Sequence, residues 1–210
     1  MSDALDEILR QAQDLGFFGP GPIVDQRRHA EHLCSLALRD AEGVPAIHFL
    51  DLGSGGGLPG LVLARRLPSP GRGALLDSQR RRGEFLAEAL ARLGLVDRIE
   101  VLTARAEDAA RDPAHREGYD LVVARSFAAP AVTAECAVGF LRPGGRLVVS
   151  EPPEPDPTRW NQRHLTELGL TAPALVAEAD THAAILHRTT APLDPRWPRR
   201  AGIPQKRPLW

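Results

Sequence analysis

Between Asp51 and Gly60 the chain reads Asp-Leu-Gly-Ser-Gly-Gly-Gly-Leu-Pro-Gly. An apolar stretch, Ala46 to Leu50, precedes this run, and a helical one, Leu61 to Leu67, follows it. A strand, a glycine loop and a helix start are what a nucleotide-like cofactor needs. Glycines let the backbone approach a ligand closely, and the free N–H groups of a helix start favour an anionic group. Asp77 lies 20 residues beyond Gly57, at the end of the next apolar run. A carboxylate there is placed to accept both hydroxyls of a ribose.

Two registers of the loop compete. Gly55, Gly57 and Gly60 fit G-x-G-x-x-G, the dinucleotide fingerprint. Asp51, Gly53, Gly55 and Gly57 fit the D-x-G-x-G-x-G pattern of S-adenosylmethionine-dependent methyltransferases. Asp51 favours the second register, because a carboxylate before the loop suits an amino group and a sulfonium and repels a pyrophosphate. A hydride-transfer enzyme would also want a conspicuous Tyr/Lys or His/Arg pair, whereas Tyr119 is the sole tyrosine and is placed to start a strand. S-adenosylmethionine is therefore the expected cofactor.

These residues must be positioned by a regular framework. Apolar runs at Ala46–Leu50, Ala74–Leu76, Ile99–Leu102, Leu121–Ala124 and Arg146–Val149 read as buried parallel strands. Helical segments lie between them near Leu58–Leu67, Gln79–Leu93 and Pro130–Phe140. The alternation predicts an α/β fold with a doubly wound, mostly parallel Rossmann-like sheet of the class I methyltransferase kind. Leu141 to Leu147 resembles the turn before the fifth strand of that class. Thr158–Leu168 is a further helix candidate, and Leu175–Ala177 with Ala183–Leu186 supply two last strands. Two amphipathic helices, Ser2–Leu15 and about Val24–Arg39, flank a Gly/Pro break at Phe17–Pro22.

The expected organisation is a helical extension over residues 1–44, a cofactor-binding domain over 45–191 and a basic arm over 192–210. By itself that last stretch, rich in proline and arginine and without periodicity, reads as an extended or disordered tail. The chain has 210 residues, 43% of them hydrophobic and 25% charged, as in an ordinary globular protein. Its net charge of −1 makes no global case for nucleic acid, so local patches must carry one. No stretch reaches the length of a membrane span, and the expected location is the cytoplasm. Cys34 and Cys136 form no Cys-x-x-Cys pair, and His29 with His32 lack a third ligand, so no metal site is expected.

Specific strings go beyond the fold. Gly57-Leu58-Pro59-Gly60, Leu75-Leu76-Asp77-Ser78 with Arg81 and Phe85, Ala104-Arg105-Ala106-Glu107 and Arg125-Ser126-Phe127-Ala128 resemble one family. So does the terminal stretch from Trp197 to Leu209. The family is the bacterial guanine-N7 methyltransferase of 16S ribosomal RNA, also called glucose-inhibited division protein B. The resemblance implies cofactor contacts at Gly53, Leu58, Ala106, Glu107 and Arg125, to which the loop and ribose arguments add Asp51, Gly55 and Asp77. Ala106 would act through its backbone, and Glu107 would accept from the adenine amino group or orient the loop. Two departures stand out. Phe18-Gly19-Pro20-Gly21-Pro22 replaces the family's Asn-Leu-Thr, and Ser150-Glu151-Pro152-Pro153 stands where a lysine is usual. A divergent paralogue with another substrate, or a non-catalytic protein binding the cofactor or RNA, is the alternative reading.

Guanine N7 carries an in-plane lone pair and no proton, so its methylation requires alignment rather than a general base. Arg125 and Phe127 are the candidates nearest the chemistry, Arg125 to position a phosphate, the cofactor carboxylate or guanine O6, and Phe127 to stack on a base. For contact with 16S ribosomal RNA or the small ribosomal subunit, Arg199, Arg200, Lys206 and Arg207 form a cationic arm, since no acidic residue follows Asp194. Arg27, Arg28, Arg80, Arg81, Arg82 and Arg196 are further candidates. Structural ion pairs and solvated helix starts are the competing roles for all these arginines.

Overall fold

A computed structural model describes residues 3–39 and 46–210. The expected boundary between residues 44 and 45, and the Ser2 start of the first helix, lie outside the described residues. Seven strands form one sheet: β1 (His48–Leu52), β2 (Arg72–Asp77), β3 (Ile99–Thr103), β4 (Tyr119–Ala124), β5 (Leu141–Glu151), β6 (Ala174–Glu178) and β7 (Thr181–His187). Their order across the sheet is β3-β2-β1-β4-β5-β7-β6. The pairings from β3 through β5 are parallel, and β7 runs antiparallel to both β5 and β6. The chain reverses its direction of travel across the sheet between β1 and β4, leaving a crevice at the carboxyl ends of those strands.

Residues that alternate along each strand feed opposite cores. Phe49, Leu75, Leu121, Val123 and Val148 join one cluster, while Leu50, Leu52, Leu76, Val122 and Leu147 join the other. Both faces are covered, which explains the nearly unbroken apolar runs. On the first face lie α1 (Ala4–Asp14), α2 (Ile23–Leu38), α3 (Gly60–Arg66) and α4 (Arg80–Arg92). Asp3 caps α1 by accepting from the Leu5 N–H at 3.2 Å, and Asp6 and Glu7 suit the positive end of its dipole. Leu5, Ile8, Leu9 and Ala12 of α1, with Leu33, Cys34, Leu36 and Ala37 of α2, are buried in that core.

The second face carries α5 (Ala106–Ala109), α6 (Pro130–Val138), α7 (Gln162–Glu167) and α8 (Ile203–Lys206). Several expected boundaries move for identifiable reasons. The helix expected over Thr158–Leu168 splits into a 3₁₀ turn, Pro157–Arg159, and α7, because Asn161 is extended and caps the second piece through the His164 N–H. The Arg142–Gly145 turn lies inside β5 as a bulge: Leu141 pairs with Tyr119 and Arg146 with Leu121. Gly144 adopts φ 79° there and donates to the Arg188 carbonyl at 2.9 Å.

The terminal segment is the main correction. It is an ordered strap that closes the second face, not an extended tail. Trp197 is buried in the second cluster and donates its indole N–H to the Glu167 carbonyl at 3.2 Å. Arg111 donates to the carbonyls of Arg196 and Pro198, and Arg116 to that of Trp197 at 2.9 Å. Arg199 places its backbone N–H, Nε and Nη2 on the fully buried Glu135 carboxylate at 2.9, 2.8 and 2.6 Å. Side chains holding carbonyls leave no periodic trace, so pattern reading missed the strap.

Removing the Arg199 side chain would strand the Glu135 charge in the core. Arg199→Ala is expected to lower unfolding stability by about 3 kcal/mol, measured by urea denaturation.

Candidate cofactor site

The glycine loop is tied to the end of β2. Gly53 and Ser54 both donate their N–H groups to the Leu76 carbonyl at 2.9 Å, and Gly57 donates to the Ser54 carbonyl at 2.7 Å. Gly53, Gly55 and Gly57 have φ of 78°, 55° and 101°, in the left-handed region where side chains are strained. A Cβ at Gly53 would also lie 2.5 Å from the Phe127 ring.

Two carboxylates hold this loop. Asp51 is buried beneath it, and its Oδ2 accepts from the Gly60 N–H at 2.9 Å, which explains why α3 begins at Gly60 rather than Leu58. Its Oδ1 is buried with no partner among the described residues. Burial pushes this carboxyl up to about 7, against hydrogen bonding from Gly60 and the positive charge of Arg125. Asp77 ends β2, where its Oδ2 accepts from the Gly55 N–H at 3.0 Å and its Oδ1 from the Gln79 N–H at 2.9 Å. The Arg82 guanidinium lies 3.5 Å from the same Oδ2.

In front of the loop a cavity of about 370 Å³ opens at the carboxyl ends of the strands. Of the residues singled out in the sequence, Gly53, Asp77, Ala106, Glu107 and Phe127 line it, whereas Asp51 and Gly55 do not. Gly55 braces Asp77 from behind. Leu58 is buried with the first cluster rather than on the cavity wall.

Arg125 points elsewhere. It donates from Nη1 to the Gln26 carbonyl at 3.0 Å and from Nη2 to Gln26 Oε1 at 2.8 Å, so α2 occupies the group expected at the cofactor. Burial lowers its pKa, and the nearby Asp51 charge partly offsets this. Glu107 accepts at Oε1 from the Gly202 N–H at 2.8 Å and from Arg105 at 3.1 Å. Burial acts to raise its carboxyl, but these hydrogen bonds outweigh it and hold the pKa below the usual carboxylate value. These contacts join the start of α5 to the terminal strap.

The cationic arm is also divided. Arg199 is consumed by Glu135, whereas Arg200, Lys206 and Arg207 are exposed. Arg27 pairs with Asp3, Asp6 and Glu31, Arg28 with Asp25, and Arg80 with Glu84. Arg81 and Arg82 lie over the Phe17 ring at 5.4 and 5.7 Å from its centroid. Glu151, at the position where a lysine was missed, is buried and accepts from Trp160 Nε1 at 3.0 Å and from Arg159. It closes the 152–160 loop. Among the described residues no group of three His, Cys, Asp or Glu side chains is placed to hold a metal ion, and no helix is long and apolar enough to cross a membrane.

Sequence reasoning missed Arg82, Val132, Cys136 and Gln205 in the cavity wall. The terminal motif was the one signal pointing toward Gln205.

Strand order, the antiparallel β7 and a cavity at the β1/β4 crevice define a class I methyltransferase fold. Residues 28–152 match the family described as rRNA small subunit methyltransferase G, and the chain belongs to that family. A "Ribosomal RNA small subunit methyltransferase G" from Deinococcus deserti is 36% identical over 167 residues, covering 77% of this chain and 68% of the relative. A protein of the same name from Rubrobacter xylanophilus is 38% identical over 168 residues, covering 76% and 64%. The chain thus spans about two thirds of the length of these relatives. An O-methyltransferase from Bacillus cereus, solved in complex with SAH, shares the fold with a TM-score of 0.62 at 20% identity, covering 89% of this chain and 90% of that one.

Asp51 gives the site a pH signature. Its carboxyl titrates near 7 when folded and near 4 when unfolded, so between those values the folded state holds a proton that the unfolded chain has lost. Stability from this group therefore falls as pH rises from about 4 to about 7, then levels. Asp51→Asn keeps an acceptor for Gly60 and removes the titration. Its melting temperature is expected to exceed that of the parent protein at pH 8 and to converge with it at pH 4, measured by thermal melts across that range.

Proposed function

We propose that this chain methylates N7 of a guanine in 16S ribosomal RNA, using S-adenosylmethionine, in the cytoplasm. The single observation that carries the reading is the Asp77 carboxylate standing at the cavity wall beside the glycine loop, in a chain of this family. The residues suit the cofactor. Each Asp77 oxygen gives one contact to a backbone N–H and retains acceptor capacity for ribose hydroxyls. Asp51 is buried beneath the loop rather than on the cavity wall, so it would act on an ammonium or sulfonium in the cavity only through the field of its ionised form. A 370 Å³ cavity falls within the range of small-molecule sites.

Bound there, S-adenosylmethionine supplies a methyl group activated by its sulfonium. The chain's own residues have to bind, align and exclude water. Guanine N7 needs no deprotonation, which accords with a site lacking a nucleophile–base pair. Phe127 lies half-buried against Gly53 at the cavity wall, an apolar face on which a purine can stack. Arg200, Lys206 and Arg207 present exposed charge for phosphates at the strap.

Two measurements test the proposal. Mass spectrometry of 16S ribosomal RNA from cells lacking this gene should show loss of one N7-methylguanine; retention of every guanine modification would refute the substrate. Asp77→Ala should weaken S-adenosylmethionine binding by about tenfold or more in calorimetry, and unchanged affinity would place the ribose elsewhere.

A further inference from the structure

The strap does more than cover apolar surface. It delivers Gln205 to the cavity wall, on the side formed by Ala104, Ala106, Glu107, Val132 and Cys136. Ala104, Ala106, Val132 and Cys136 give the lining apolar side chains beside the Glu107 carboxylate and this amide. The Glu107 Oε1 already accepts from Gly202 of the strap and from Arg105, the residue before α5. Gln205 is exposed, and its side-chain amide makes no hydrogen bond to any described residue.

Its position is enforced from both sides. Gly202, three residues before it, donates to Glu107 of α5 at 2.8 Å. Arg199, six residues before it, is locked onto the buried Glu135 of α6 by three hydrogen bonds. Gly202 sits at φ 78°, a left-handed conformation that lets the strap turn back toward the cavity. Two buried carboxylates therefore hold the segment that brings this amide to the cavity wall.

An amide offers a donor and an acceptor on one planar group, which is the pattern that pairs with the 6-amino group and ring nitrogen of adenine. A carboxylate offers acceptors alone. We infer that Gln205 is a specificity-determining residue that reads the hydrogen-bonding edge of the cofactor's adenine, and that Glu107 and Glu135 are positioning residues acting through the strap. The inference rests on the cofactor proposed above and adds which residue selects its base.

Calorimetry with S-adenosylhomocysteine tests it on the full chain. Gln205→Ala should weaken binding by about tenfold, the loss of one to two hydrogen bonds. Toward an analogue lacking the purine 6-amino group the same variant should weaken binding clearly less, by about threefold, because only the ring-nitrogen contact remains to be lost, completing a double-variant cycle. Gln205 is exposed, so its melting temperature should stay unchanged. Equal affinity of variant and parent protein for S-adenosylhomocysteine would overturn the assignment. So would equal weakening toward both ligands, which marks a structural role alone. Failure of the parent protein to bind S-adenosylhomocysteine would instead overturn the cofactor reading on which this one stands.

Discussion

A buried carboxylate accepting one backbone N–H organises this molecule. Asp51 Oδ2 meets the first N–H of α3 beneath the glycine loop, and the close approach leaves no room for a side chain at Gly60. A Cβ there would sit 2.4 Å from that oxygen and 2.4 Å from Leu75. Asp77 then grips the loop from the front through Gly55. Between them the two aspartates fix a chain segment that has three left-handed glycines and little side-chain packing of its own. The cost is a carboxyl held where water cannot reach it, and burial raises its affinity for a proton accordingly.

Segments from either side of the sheet's sequence meet around the cavity, one on the glycine loop and one on the opposite wall. From the amino-terminal side, Phe18 packs over Gly56, where a Cβ would meet its ring at 2.6 Å. Gln26 donates to the Gly19 carbonyl at 3.0 Å while accepting from Arg125, joining the Gly/Pro segment to the end of β4. From the other side the strap reaches Glu107 and Glu135. Segments remote in sequence thus share one site, and Leu5 of α1 and Trp210 of the strap pack into the two cores of the sheet.

The strands were legible because parallel strands covered on both faces must be apolar throughout. The glycine loop was legible because few other contexts require glycines at that spacing after a strand. Gly53, Asp77, Ala106, Glu107 and Phe127 reach the cavity as their motif positions implied. Arg125 did not, because its partner Gln26 lies 99 residues away and local pattern carries no trace of such a contact. Arg199 likewise reads as a free surface cation until Glu135, 64 residues earlier, is brought beneath it. Charge in sequence is one-dimensional, and pairing is settled only by packing.

The strap carries one consequence for how the protein is made. Every strand of the sheet has been synthesised before Gly202 exists to meet Glu107, and domains fold as units during synthesis. Until Arg199 and Gly202 have been made, Glu107 and Glu135 lack the partners that satisfy them, and one wall of the cavity is missing. A nascent chain can assemble its sheet first, and its ligand pocket is completed only once the strap, which follows every strand in the sequence, has left the exit tunnel.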